Sequence, residues 1–118
     1  MPGELTTHVL DTAHGRPAAN MKIELWRVGT SHSTLLRTVT TNSEGRTDRP
    51  LLEAAEMAGG TYELVYYVGD YFSTILPDSG SVRFLDRVPV RFGISDPSAN
   101  YHVPLLTSPW SYTTYRGS

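Results

Sequence analysis

Apolar and polar residues alternate along much of this chain with a period of two, the spacing of strands that bury one face. That alternation, or a concentration of β-branched and aromatic residues, marks seven strands: Leu5–Asp11, Met21–Val28, Thr34–Thr41, Thr61–Val68, Arg87–Ile94, Asn100–Ser108 and Trp110–Tyr115. Between them stand residues that accept positive φ or fix φ: His14-Gly15-Arg16-Pro17, Asn42–Gly45, Gly59-Gly60, Pro77–Gly80 and Ser95–Pro97. No long helical period is present. One short helix is expected over Asp70–Leu76, with Asp70 as N-cap and Pro77 as its stop, while Leu51–Met57 fits either a strand end or a helical turn. The pattern implies an all-β sandwich, and with no internal repeat, linker or low-complexity stretch it implies one domain over residues 1–118.

Side-chain parity sorts the strands into faces. In the first, Leu5, Thr7 and Val9 share one face and Thr6, His8 and Leu10 the other; in Asn100–Ser108, Val103 and Leu105 oppose His102, Pro104 and Leu106. The sets Leu5/Val9 and Val103/Leu105 read as sandwich core, so His8 and His102 both fall on outer faces. Leu10, Pro104 and Leu106 accompany them there, and apolar residues on an outer sheet face imply a surface covered by another subunit.

Composition narrows the function classes. At 118 residues the chain is long enough to bury a real core. A net charge of −2 from 10 basic and 12 acidic residues, without a block of one sign, gives no footprint for nucleic acid or a membrane surface. Zero cysteines removes a disulfide framework, a thiolate nucleophile and the common zinc spacings. No apolar run approaches the roughly 20 residues of a membrane span, and Met1-Pro2-Gly3-Glu4 lacks the parts of a secretory signal, so a cytoplasmic protein is expected.

Candidate chemistry centres on the outward pair His8 and His102, since two imidazoles in different surroundings can divide base and acid roles near neutral pH. His14 and His32 lie in turns and carry no such reading. Two histidines without a matched carboxylate or cysteine fall short of a metal ligand set, so no structural metal is expected. Arg46 follows Gly45 at the end of a turn, where a guanidinium can be displayed toward a cleft, but Arg49 has an equal claim on sequence grounds. The chain runs in strand-like sequence to Tyr115-Arg116-Gly117-Ser118 without a polar tail, which would hold a terminal Arg, a hydroxyl and the α-carboxylate in place. Ser118 has no G-x-S-x-G context, so a covalent serine mechanism is unsupported.

The residues Leu5-Thr-Thr-His-Val-Leu-Asp11, Gly45-Arg46-Thr47, Tyr101-His-Val-Pro-Leu-Leu106, Ser108-Pro109 and the terminal Tyr-Arg-Gly-Ser, in that order, resemble the 5-hydroxyisourate hydrolases of the transthyretin-related family. The resemblance runs from about residue 5 to the end of the sequence. It implies a prealbumin-like β-sandwich of two four-stranded sheets with one short helix, assembled as a homotetramer with sites in the inter-dimer channel. It also implies hydrolysis of 5-hydroxyisourate to 2-oxo-4-hydroxy-4-carboxy-5-ureidoimidazoline in urate degradation, by histidine-assisted attack of water and without a cofactor. Carried over position by position, the catalytic residues fall on His8, Arg46, His102 and Ser118, which favours Arg46 over Arg49; Tyr115, Arg116 and Gly117 would narrow the substrate pocket. Thr107 departs from the leucine common before Ser-Pro, but by parity it faces away from the channel. The hormone-carrier branch of the family is the competing reading, and there a lysine stands where His8 is. A third reading, a structural sandwich with incidental histidines, predicts tolerance to loss of the last four residues.

Overall fold

The computed structural model describes residues 3–76 and 82–118. The chain runs through β1 (Leu5–Asp11), β2 (Arg16–Pro17), β3 (Lys22–Val28), β4 (Ser33–Thr40), a 3-10 turn (Ala54–Glu56), β5 (Gly60–Tyr67), α1 (Val68–Ile75), β6 (Arg87–Ile94), β7 (Tyr101–Thr107) and β8 (Tyr112–Thr114). Two four-stranded sheets result, ordered β2-β1-β7-β8 and β4-β3-β5-β6, the sandwich that the strand pattern implied in the sheet arrangement that the resemblance implied. Neighbouring strands are antiparallel except β1 and β7, which run parallel. Among the described residues no helix is long and apolar enough to cross a membrane.

Parity places the core where the sequence located it. Along β1 the residues Leu5, Thr7, Val9 and Asp11 are buried while Thr6, His8 and Leu10 are half-buried. Leu5 and Val9 meet Leu25, Leu64, Tyr66, Val103 and Leu105 between the sheets, joined by Phe72 from α1. Each such side chain contributes about 1.5–3 kcal/mol through removal from water. The polar members of this layer are fully bonded: Thr7 Oγ1 donates to the Val103 carbonyl at 2.7 Å and lies 3.0 Å from the Tyr66 hydroxyl.

Two elements differ from expectation, and a third settles an open alternative. A two-residue strand, Arg16–Pro17, pairs with the end of β1; it is too short for any periodicity to reveal. The helix begins at Val68, not Asp70, because β5 runs straight into it through Tyr67, whose φ of −84° and ψ of 67° make the corner without a side-chain cap. Asp70 instead sits in the first turn, where its carboxylate faces the positive end of the helix dipole. The ambiguous Leu51–Met57 becomes a 3-10 turn closed by a Glu53/Glu56 capping box, with Leu51 and Leu52 buried against Leu5. Pro77 and the turn assigned to Pro77–Gly80 lie outside the described residues.

His14 has a structural role, as its turn position implied. The buried Asp11 carboxylate accepts from the Ala13 and His14 backbone N–H groups at 3.0 Å, from His14 Nδ1 at 2.7 Å and from the Tyr71 hydroxyl at 2.8 Å. Burial pushes Asp11 toward its neutral form, yet these donors outweigh it and hold the carboxyl below its usual range. Burial and the same contact push the Tyr71 phenol up to about 12. The cluster fastens the end of β1 to α1.

Candidate active site

The parallel register of β1 and β7 aligns Thr6 with His102 and His8 with Pro104. His8 and His102 therefore stand on one outward face as diagonal neighbours, both half-buried. Pro104 sits in an inner strand, a position that usually excludes proline because it lacks an N–H. Odd residues of β7 bond toward β1, as Tyr101 N–H does to the Glu4 carbonyl at 2.9 Å, so the missing donor of Pro104 is on the side of the chain terminus. There the β8 ladder stops at Leu105–Thr114, Thr114 Oγ1 donates to the Pro104 carbonyl at 2.8 Å, and pairing resumes at His102–Gly117.

Gly117 is needed at that resumption. Its N–H donates to the His102 carbonyl at 2.8 Å, and a Cβ at this position would lie 2.6 Å from His102 Cδ2. On the other flank the Asn42–Arg46 turn delivers the guanidinium. Gly45 takes φ of +75°, and a Cβ there would lie 2.3 Å from the Val9 carbonyl oxygen, so glycine alone fits. Asn42 Oδ1 accepts from the Glu44 and Arg46 N–H groups at 2.9 and 3.2 Å, and Arg46 forms a bridge beside His8. Among the described residues the Arg46 side chain makes no hydrogen bond or ion pair, whereas Arg49 is tied to Glu53 at 2.9 Å.

Both imidazoles are biased toward the neutral form. Partial burial and the positive charge of Arg46 lower the His8 pKa, opposed by its bond to the Glu44 carbonyl; partial burial, Arg46 and His8 lower that of His102. Because a carbonyl can only accept, His8 Nε2, 2.9 Å from the Glu44 oxygen, carries its proton and Nδ1 offers the lone pair. His102 Nδ1 lies 2.8 Å from Thr6 Oγ1. Two neutral bases beside an uncompensated guanidinium can accept a proton from water and stabilise a developing oxyanion in one place.

The sequence-derived candidates are not all brought together. His8, Arg46, His102 and Gly117 converge. Ser118 follows Gly117 as an exposed residue without a hydrogen bond among the described residues, and Tyr115 is 58% exposed. Arg116 turns to the opposite side of the terminal segment, donating to the Asn100 carbonyl at 3.1 Å with its guanidinium 4.2 Å from the Tyr101 ring centre. It borders a cleft of about 350 Å³ between β6 and β7, away from the histidines. A smaller cleft of about 210 Å³ opens beside Thr6, Arg46 and Asp48. Thr6 was not singled out from sequence, although parity places it on the histidine face. Among the described residues no group of three or more His, Cys, Asp or Glu side chains could hold a metal ion.

Comparison with known proteins finds one family along nearly the whole chain. The model of the HIUase/Transthyretin family matches residues 5–117. "5-Hydroxyisourate hydrolase 2" of Rhizobium meliloti is 58% identical over 119 residues, covering 98% of this chain and 97% of the relative. Among solved structures, 5-hydroxyisourate hydrolase of Klebsiella pneumoniae superposes with a TM-score of 0.80 at 31% identity, covering 98% of this chain and 99% of that one. An (S)-allantoin synthase superposes with a TM-score of 0.90 at 44% identity, and this chain, covered to 99%, spans 44% of that longer protein.

Proposed function

The chain belongs to the HIUase/Transthyretin family, and on that premise we propose that it hydrolyses 5-hydroxyisourate to 2-oxo-4-hydroxy-4-carboxy-5-ureidoimidazoline in urate degradation. The observation that carries this reading is the Arg46 guanidinium, unpaired among the described residues, beside two imidazoles whose protonation it disfavours. Water loses a proton to a neutral imidazole as its oxygen attacks a ring amide carbonyl carbon. General-base assistance of this kind contributes about 10²- to 10⁴-fold. Arg46, which does not deprotonate, stabilises the oxyanion. Collapse of that intermediate breaks the C–N bond; the ring nitrogen takes a proton from an imidazolium and the former carbonyl leaves as a carboxylate. His8 and His102 share the proton transfers, and Ser118 orients water or substrate through its hydroxyl and α-carboxylate.

The same reading assembles the chain as a homotetramer in the cytoplasm, with sites in the inter-dimer channel. Support comes from the apolar character of the histidine face, where Leu10 and Leu106 are half-buried, and from Trp110, 70% exposed at the β7–β8 turn. A carrier requires an open, apolar channel; a charged guanidinium acting on two imidazoles does not suit one. The test is the decay of freshly generated 5-hydroxyisourate, followed by ultraviolet absorbance, with the intact chain and with a version lacking Tyr115–Ser118. Acceleration by the intact chain alone is expected. No acceleration by a folded, untagged protein would transfer the chain to a ligand-carrying role.

A further inference from the structure

We infer that Thr6 is a positioning residue for His102, its hydroxyl fixing the imidazole through Nδ1 so that Nε2 is the nitrogen presented to substrate. This rests on the hydrolase reading of the site. The alignment is imposed by the fold: Thr6 is the residue paired with His102 in the parallel β1–β7 ladder, and its outward parity is that of His8. Its Oγ1 lies 2.8 Å from His102 Nδ1 and has no other partner among the described residues. A β-branched side chain is stiff at χ1, so the hydroxyl stays where the strand places it.

The chain terminus crowds the ring on its Cδ2 side. The Gly117 backbone passes over Cδ2, so closely that a Cβ there would lie 2.6 Å away. With Nδ1 bonded to Thr6 and Cδ2 under Gly117, the edge carrying Nε2 is the part of the ring left for chemistry. The charged and titratable groups facing it are Arg46 and His8.

The two histidines are thereby held by different kinds of group. The carbonyl of Glu44 can only accept, so His8 stays protonated on Nε2 in its neutral form. A hydroxyl both donates and accepts, so Thr6 can remain bonded to His102 Nδ1 whichever of its two ring nitrogens holds the proton. The adjacent Thr7 shows the contrast: its hydroxyl faces the core and is used up by the Val103 carbonyl and Tyr66.

Thr6→Val keeps the β-branch and removes the hydroxyl, while Thr6→Ser keeps the hydroxyl. Groups that orient a metal-bound histidine from behind are commonly worth about 10- to 100-fold, and Thr6 orients an imidazole in the same way without a metal. We expect Thr6→Val to lower kcat about tenfold with KM unchanged, and Thr6→Ser to stay within about threefold of the parent. Nitrogen NMR shifts of histidine-labelled protein should show the His102 tautomer populations altered by Thr6→Val and retained by Thr6→Ser. Parent-like kcat and tautomer populations in Thr6→Val would overturn the inference, as would an equal loss in both variants. An inactive parent protein whose His102 shifts still respond to Thr6→Val would sink the hydrolase reading and leave the positioning of the ring standing.

Discussion

The outer faces of the two sheets carry polar side chains in opposite states. On the β4-β3-β5-β6 sheet every charge shown there has a partner: Glu24 accepts from Trp26 Nε1 at 3.1 Å and from the Tyr67 hydroxyl at 2.8 Å, Lys22 and Arg87 each lie 4.5 Å from the Tyr67 ring centre, and Arg91 pairs with Glu63 at 3.2 Å. On the β2-β1-β7-β8 sheet Arg46 makes no ion pair among the described residues, and its charge discourages two imidazoles from protonating. Strand, parity and partial exposure are shared by both faces. What differs is whether the opposite charge is supplied by the chain. A saturated face stabilises the fold modestly, while an unsaturated cation near two bases is arranged for negative charge that develops in something else.

Removing a base from the unsaturated face should have the largest effect. His102→Asn keeps an amide able to bond Thr6 but cannot cycle a proton, so kcat should fall about 10²- to 10⁴-fold in the 5-hydroxyisourate assay. Circular dichroism and light scattering should match the parent. If assembly and activity were lost together, the ring would belong with His14, as part of the scaffold. Arg46→Gln comes next, with an expected loss of about 10²- to 10³-fold, the cost of removing one donor to an oxyanion. Arg49→Gln serves as its control, because that guanidinium is occupied by Glu53. Equal losses from both would end the distinction between a paired and an unpaired arginine.

That distinction was only half legible in the sequence. Parity put His8 and His102 each on an outer face, because a period of two survives along β1 and β7 even where Thr7, Asp11 and Thr107 interrupt the apolar inner set. The choice between Arg46 and Arg49 was open from the residues and came only through resemblance; pairing of Arg49 with Glu53 depends on the 3-10 turn at Ala54–Glu56, in a segment whose sequence was ambiguous. The helix start was misplaced for a related reason: Tyr67 and Val68 lie in one apolar run, and no turn residue marks where the strand becomes helix. Thr6 and Gly117 were legible as letters but not as contacts. Register across 96 residues aligns Thr6 with His102, and nothing local encodes that pairing. Arg116, which the resemblance placed at the pocket, is drawn to Tyr101 on the far side of the terminal segment.

Acidification should probe the unsaturated face without mutation. Both imidazoles have folded-state pKa values below 6.5, through partial burial and Arg46, so kcat/KM should hold at neutral pH and fall as pH drops below that value. Stability follows the same sign: the unfolded chain binds protons more readily at these sites, so their contribution is complete above 6.5 and is lost as pH falls through the lowered folded values. Arg46→Gln removes one cause of the depression, so the acid limb of its residual activity should move toward higher pH. A profile flat from pH 5 to 8 would remove the imidazoles from the proton transfers.

The smallest effect is expected on the saturated face. Arg91→Ala deletes an ion pair whose arginine side chain is 61% exposed, and pairs of that kind are worth about 0.2–1 kcal/mol because water and salt compete for both charges. Thermal unfolding should shift only slightly, and less still in high salt. Hydrolysis of 5-hydroxyisourate should stay within about twofold, since surface changes away from a site usually fall within about 0.5 kcal/mol. Glu63→Gln, which leaves Arg91 as a cation without its counter-ion, sharpens the comparison. It creates on this sheet the charge state Arg46 has on the other, but with no imidazole beside it. If a lone guanidinium on an outer sheet face were sufficient, this variant would gain activity; we expect none, because stabilising an oxyanion accelerates nothing until a base has delivered the nucleophile.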